Sequence, residues 1–402
     1  MTVTPFEIAV PYAEIDRIKT RIRDYEWFEE PTDSDRDGVW AYGANKSFMQ
    51  DLCDYWLNKY DWRMQEAWMN RFDHFKAPCE GRDGTLDIHF IHERGSNPDN
   101  LPVIIMHGWP GSYIEHMETI EPIAHPERFG GKAEDGRDVI VPSLVGYGWS
   151  DKPKTPMGPR AMGVYMNDLM VNQLGYPRYV AQGGDWGGIM ANWMGFDFGE
   201  DKGGPIKSIH VNLIGLRPAD GNGQLPPEGD AEIAHAEEAA ARFAGENGYF
   251  LVHASKPQSL AYGMMDSPVG VCAWICEKFH TWSDRSGKGE VGGAIENTYT
   301  YDQLLNNVMV YITSRTFNTS TWNYYGAGLE GGFFMPPGES VGVPTGVASF
   351  PREIAPVPPP SYVEKGYNLV HYTEMSKGGH FGAMEQPELF CEELAAFLKA
   401  WG

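Results

Sequence analysis

The run AQGGDWGGIM, residues 181–190, constrains this chain more tightly than any other stretch. A strand-like approach, RYVAQG, meets glycines at 183 and 187, one on each side of Asp185, and a helical pattern follows. Small residues two before and two after a central position let the backbone bend sharply and pass close to its neighbours. The pattern therefore predicts a strand turning directly into a helix, with the Asp185 carboxylate displayed at the tip. A glycine-rich turn in which Asp185 merely caps the helix is the plain alternative. A phosphate loop is disfavoured, because no Lys-Ser/Thr pair follows the glycines.

The surroundings of this turn place it in a parallel sheet. TLDIHFIHERG alternates like a strand, LPVIIMHGWPGS is a buried strand ending in a Gly/Pro turn, and DVIVPSLVGYGWSD repeats that design. YMNDLMVNQLG reads as a helix and IKSIHVNLIGL as the strand after the turn. Strands alternating with helices imply a mostly parallel central sheet flanked by helices on both faces. Ahead of it, residues 1–72 read as helical and surface-wrapping. Ile15, Ile18, Ile22 and Tyr25 recur at helix spacing, and Trp56, Leu57, Tyr60 and Met64 suggest one further helix.

The alternation breaks near Arg217, where RPADGNGQLPPEGD leads into about a hundred residues of helical periodicity. In DSPVGVCAWICEKFHTW, Ser267 suits an N-cap and Pro268 a first turn, and Val271, Ile275, Lys278/Phe279 and Trp282 follow at helix spacing. GAGLEGGFFMPPGESVGVPTG then leads back to the strand-like VPTGVASFP and NLVHYTEM. The chain ends in a helix with Leu394, Phe397, Leu398 and Trp401 on one face. The expected division is 1–84 as an N-terminal wrapping segment, 85–216 as the first part of the α/β core, 217–340 as an inserted helical lid, and 341–402 as the second part of the core.

Composition excludes some partners. The chain carries 55 Asp and Glu against 32 Lys and Arg, a net charge of −23 over 402 residues. Nucleic acid and anionic membranes need clustered cations, so neither is an expected partner. No apolar run reaches the length of a signal or a membrane anchor, so a cytoplasmic protein without an anchor is expected. The five cysteines are scattered and complete no zinc set; they read as reduced core residues, with no metal. The oligomeric state is left open, a homodimer included.

Four features carry chemistry together. Asp185 sits at the turn, and His380, in KGGHF, follows the last expected strand. Between them lies Glu353 in SFPREI, with Asp220 as a rival acid, which gives the chain order nucleophile, acid, histidine found in α/β-hydrolase folds. HGWPGS, residues 107–112, follows an early strand. In that fold the residue after this His-Gly and the residue after the nucleophile supply oxyanion N–H groups, here the backbone amides of Trp109 and Trp186. An aspartate in place of serine suits attack at saturated carbon. Serine would form an alkyl ether, which resists water, whereas a carboxylate forms an alkyl ester whose carbonyl belongs to the enzyme. Water activated by His380, itself held by Glu353, could then cleave it. A halide would leave onto N–H donors such as the indoles of Trp186 and Trp109. An epoxide oxygen would instead need a proton donor, and the lid offers Tyr249, Tyr262, Tyr299, Tyr301, Tyr311, Tyr324 and Tyr325.

The strings HGWPGS, QGGDWG, DSPVGVCAWICEKFHTW and GGHFGAMEQPE resemble those of the microsomal epoxide hydrolase family. FEIAVPYAEIDRIKTRI through WRMQEAWMN resembles its N-terminal domain, and the likeness covers nearly the whole chain. The resemblance implies an α/β-hydrolase fold, conversion of an apolar or aromatic epoxide and water to a vicinal diol, and no cofactor. By position it implies Asp185 as nucleophile, His380 as base and Glu353 as orienting acid. It also implies Tyr249 and a second lid tyrosine as proton donors, and ungapped counting favours Tyr324 over Tyr325 for the second. A haloalkane dehalogenase using the same aspartate is the rival enzyme; a catalytically silent ligand-binding protein of this fold is the rival outside enzymes.

Overall fold

The computed structural model describes residues 2–34, 38 and 40–402. Its centre is a nine-stranded sheet. In chain order the strands are β1 (Thr4–Phe6), β2 (His74–Gly81), β3 (Gly84–Glu93), β4 (Val103–Met106), β5 (Val139–Pro142), β6 (Tyr179–Gly183) and β7 (Ile206–Val211). A two-stranded hairpin, β8 (Ala219–Asp220) and β9 (Gly223–Gln224), stands apart, and β10 (Val341–Ser349) and β11 (Tyr367–Glu374) complete the sheet. Across it the order is β1-β2-β3-β5-β4-β6-β7-β10-β11. The strands from β5 to β11 run parallel, and β1, β2 and β3 form an antiparallel edge. Every residue of β4, β5 and β6 is buried, as strands covered on both faces require.

Two strands lie where the periodicity reads otherwise. β1 falls within the stretch read as helical, because a strand paired at only three positions is too short to show a period. β2 precedes the expected onset of the sheet. Its sequence, HFKAPCEG, lacks clean alternation, yet its pairing with β3 runs from His74↔Ile91 to Gly81↔Gly84 across a two-residue turn. The single helix expected around Trp56–Met64 is two, Lys46–Asn58 and Trp62–Met69. Asp61 restarts the second by accepting the amides of Arg63 and Met64, which turns Met64 outward to 68% exposure. These helices also touch the distant insertion: Tyr55 donates to Asp302 (2.9 Å) and Tyr60 to Asn306 (2.7 Å).

The insertion between β7 and β10 is helical, with six helices of eight residues or more. Helix Pro268–Trp282 is built as its sequence suggests. The Ser267 hydroxyl accepts the Gly270 amide at 2.9 Å, and Val271, Ile275, Lys278, Phe279 and Trp282 are all buried. All five cysteines are buried and free.

Parallel strands deliver their C-terminal ends to one edge of the sheet, and the site is assembled there. β4 opens into HGWPGS, β6 into the turn at Asp185, β10 into the Glu353 loop and β11 into the His380 loop. At the turn Asp185 adopts φ +46°, a left-handed conformation that Asp tolerates better than most side chains. Its neighbours must be glycine. A Cβ on Gly183 would stand 2.2 Å from the Gly187 carbonyl carbon, and one on Gly187 would stand 2.0 Å from the Met106 oxygen.

Gly187→Ala should therefore destabilise the fold by about 1–3 kcal/mol or more, because the contact is with backbone that cannot step aside. Gly263→Ala has nothing within 4 Å of the added Cβ and should be neutral or stabilise by up to about 1 kcal/mol. Denaturant titrations of the two variants check the contrast.

Candidate active site

Helix Asp185–Phe198 leaves the turn and is buried along most of its length. The Asp185 carboxylate stays 19% exposed and lines a cavity beneath the insertion. Its Oδ1 accepts the backbone N–H of Trp109 at 2.7 Å. That approach depends on Gly108, whose Cβ would lie 2.1 Å from Oδ1. Trp186 is the second residue of the helix, and first-turn amides have no partner inside a helix. Its indole packs edge-on against the Tyr324 ring, centroids 4.7 Å apart.

His380 Nε2 lies 3.5 Å from Asp185 Oδ2, and its Nδ1 donates to Glu353 Oε1 at 2.7 Å. Burial alone would lower the His380 pKa, but the charges of Glu353 and Asp185 outweigh it and hold the imidazole well above its usual value. The two carboxylates therefore bias the imidazole between them toward its protonated form. Glu353 is 1% exposed, and its Oε1 also accepts the Ala355 amide at 3.0 Å. The rival acid, Asp220, lies in β8 and accepts the Asn222 amide at 2.7 Å.

Of the tyrosines in the insertion, Tyr249 and Tyr324 line the same cavity as Asp185 and His380. The Tyr249 ring stacks on Trp109, centroids 5.1 Å apart and 8° from parallel, and the Lys278 ammonium stands 4.9 Å from its centroid. Tyr324 is 1% exposed, and its buried hydroxyl, close to Tyr249 and Trp186, makes no hydrogen bond of regular geometry. Burial, reinforced by the Asp185 charge, keeps the Tyr249 phenol protonated; burial, with Tyr249 and Asp185, does the same for Tyr324. The others are placed differently. Tyr325 and Tyr262 are exposed, Tyr311 donates to the Gly111 carbonyl, Tyr299 bonds Ser283, and Tyr301 bonds Glu296.

Several residues that hold this arrangement escaped the motif reading. The Glu385 carboxylate accepts the amides of Gly379 (2.9 Å), Phe381 (2.9 Å) and Asp284 (2.7 Å), clamping the chain on both sides of His380. Asp284 accepts the Gly378 amide at 2.9 Å, and the Trp282 carbonyl accepts that of His380 at 3.0 Å. From the insertion, Arg242 donates to the Pro351 and Glu353 carbonyls, at 3.2 and 2.9 Å. The available signal was an acid five residues beyond His380 in GGHFGAMEQPE; Arg242 and Asp284 lie too far along the chain for any spacing rule.

The cavity measures about 570 Å³, within the usual range for small-molecule sites. Trp186, Leu213, Phe250, Phe333 and Ile354 give it largely apolar walls. Among the described residues no group of His, Cys, Asp or Glu is placed to hold a metal ion, and no helix is long and apolar enough to cross a membrane.

Residues 3–116 match the family described as epoxide hydrolase N terminus, and residues 102–210 match the alpha/beta hydrolase fold. A protein of Stigmatella aurantiaca (strain DW4/3-1), named provisionally as an epoxide hydrolase, is 36% identical over 397 residues, covering 98% of this chain and 84% of its own. Epoxide hydrolase 1 of Sus scrofa is 31% identical over 418 residues, 99% of this chain and 88% of its own. The crystal structure of juvenile hormone epoxide hydrolase from the silkworm Bombyx mori superposes with a TM-score of 0.84 at 28% identity, covering 100% of this chain and 95% of that one. With an aspartate at the turn, a histidine and a glutamate in line behind it, and relatives matched from end to end, the chain belongs to the epoxide hydrolase family and has its α/β-hydrolase fold.

Proposed function

We propose that the protein converts an apolar or aromatic epoxide and water to a vicinal diol through an ester on Asp185. The observation that carries this reading is the division of labour on that carboxylate: Oδ1 is held by the Trp109 amide while Oδ2 is left toward His380 and the cavity. Oδ2 attacks a ring carbon, the C–O bond breaks, and Tyr249 or Tyr324 gives its proton to the departing oxygen. The alkyl ester removes the Asp185 charge, and with it one of the two carboxylates that keep His380 protonated. His380 then returns its proton, by way of solvent, to the tyrosinate; as a neutral base it takes a proton from water while the hydroxide equivalent attacks the Asp185 carbonyl carbon. Oδ1 carries the developing charge toward the Trp109 amide, with the Trp186 amide as second donor; a single donor of this kind is typically worth about 3 kcal/mol. Collapse expels the diol oxygen, which takes the proton of the newly formed carboxyl, and leaves the Asp185 carboxylate beside a protonated His380 as at the start.

In this reading 217–340 is the lid, 1–84 wraps core and lid, and the enzyme works in the cytoplasm without a metal or cofactor. The dehalogenase alternative asks for N–H donors at the leaving group. Trp186 lines the large cavity, but among the described residues Trp109 does not, whereas both phenols do.

Asp185→Ala should abolish turnover. His380→Gln should still be alkylated by styrene oxide, so intact-mass spectra should show the enzyme gaining the mass of the epoxide; an unchanged mass would refute the covalent route. Tyr324→Phe should slow alkylation roughly 100-fold, and Tyr325→Phe by less than about twofold, read from single-turnover kinetics. Ester hydrolysis should speed up with rising pH as His380 loses its proton. Because esterification removes the Asp185 charge, its apparent pKa should lie below that of His380 titrated by NMR in the free enzyme.

A further inference from the structure

A second, much smaller cavity lies on the other side of the nucleophile. Its walls include Gly108, Glu115, Gly184 and Asn212, and Asp185 and His380 are the two residues it shares with the large cavity. The partition between the chambers is thus the nucleophile and the base themselves. At about 10 Å³ the small chamber matches the space one water needs, and Glu115, Asp185, Asn212 and His380 in its lining offer such a water partners.

Glu115 is the one acid in this chamber that the chemistry above leaves unused. It lies in the short 3-10 helix Tyr113–His116, whose start is fixed by Ser112 accepting the Ile114 amide. Its side chain folds back over Gly111 so closely that a Cβ there would fall 1.5 Å from Oε1. Burial pushes the Glu115 carboxyl up to about 8; the His380 charge opposes the rise and Asp185 adds to it, so both active groups lie within electrostatic reach. A half-buried carboxyl folded over a glycine that makes room for it, and facing the Asp185 and His380 charges, is an unusual choice for simple packing.

We propose that Glu115 is a positioning residue that seats the hydrolytic water in the small chamber, holding one of its hydrogens while His380 takes the other. The inference rests on the covalent reading. It separates the two half-reactions in space: the alkyl group occupies the large chamber, and water reaches the ester carbonyl from behind. The leaving diol therefore never stands in the path of the attacking water.

The test is a single-turnover experiment on Glu115→Gln with styrene oxide, in which mass spectrometry follows ester formation and decay separately. Alkylation should remain within about threefold of wild type while ester decay slows by roughly 10- to 100-fold, the usual result of a misplaced reactant, and the ester should accumulate. Equal loss in both steps would assign Glu115 a structural role and overturn the proposal, as would unchanged decay. Should the glutamine variant fold poorly, Glu115→Asp keeps the charge type but withdraws the carboxyl, and the same split between steps decides. Failure of the covalent reading is distinct: wild type and His380→Gln would then form no ester at all.

Discussion

The backbone leaving β4 and the backbone of the turn at Asp185 press against each other with no side chain between them. Gly187 meets the Met106 carbonyl, Gly183 meets Gly187, and Gly108 meets the Asp185 carboxylate. This contact brings the Trp109 amide to 2.7 Å from Oδ1, so the donor that would receive the oxyanion is in place before any substrate arrives. The left-handed conformation at Asp185 costs on the order of 1–3 kcal/mol. The helix behind it offsets that cost by burying Trp186, Ile189, Met190, Trp193 and Met194, large side chains worth roughly 1.5–3 kcal/mol each.

Charge is arranged around that contact with the same economy. Asp185 and Glu353 favour a proton on His380, and neutralising either carboxylate would weaken that hold. Two further carboxyls stand nearby with raised pKa values: Glu115 at about 8 and Glu385 at about 7, both chiefly through burial. Near neutral pH they add less charge than their number suggests, which leaves the Asp185–His380–Glu353 line as the dominant field. Both raised groups make the folded state less favourable as pH climbs from the ordinary carboxylate value near 4.5 through about 7 and 8. His380 acts in the same sense, its contribution being complete below pH 6.5 and lost as pH rises through its folded value.

Much of this was legible because local physics wrote it into short strings. A turn that tolerates only glycine at two positions announces itself, and so does the Ser267–Pro268 helix start. The choice between Tyr324 and Tyr325 was not local, since adjacent helical residues point about 100° apart and only tertiary packing decides which one faces the cavity. β1 and β2 were hidden for a related reason: an edge hairpin is specified by its partners, Lys76 to Thr4 and Gly84 to Gly81, more than by its own alternation. Arg242, Asp284 and Glu385 act on backbone amides and carbonyls, which every sequence possesses, so no residue pattern marks their targets.

The helical insertion and the loops that carry Glu353 and His380 are tied together by ordinary hydrogen bonds: Arg242 to the carbonyls of Pro351 and Glu353, Asp284 to the amide of Gly378, and the Trp282 carbonyl to the amide of His380. A helical cover that shares its bonding with the Glu353 and His380 loops is no removable hatch. Grafting it from a relative to alter the cavity would disturb the Asp185–His380–Glu353 line at the same stroke, so reshaping this enzyme calls for exchanging cavity-lining side chains one at a time beneath a roof left where it stands.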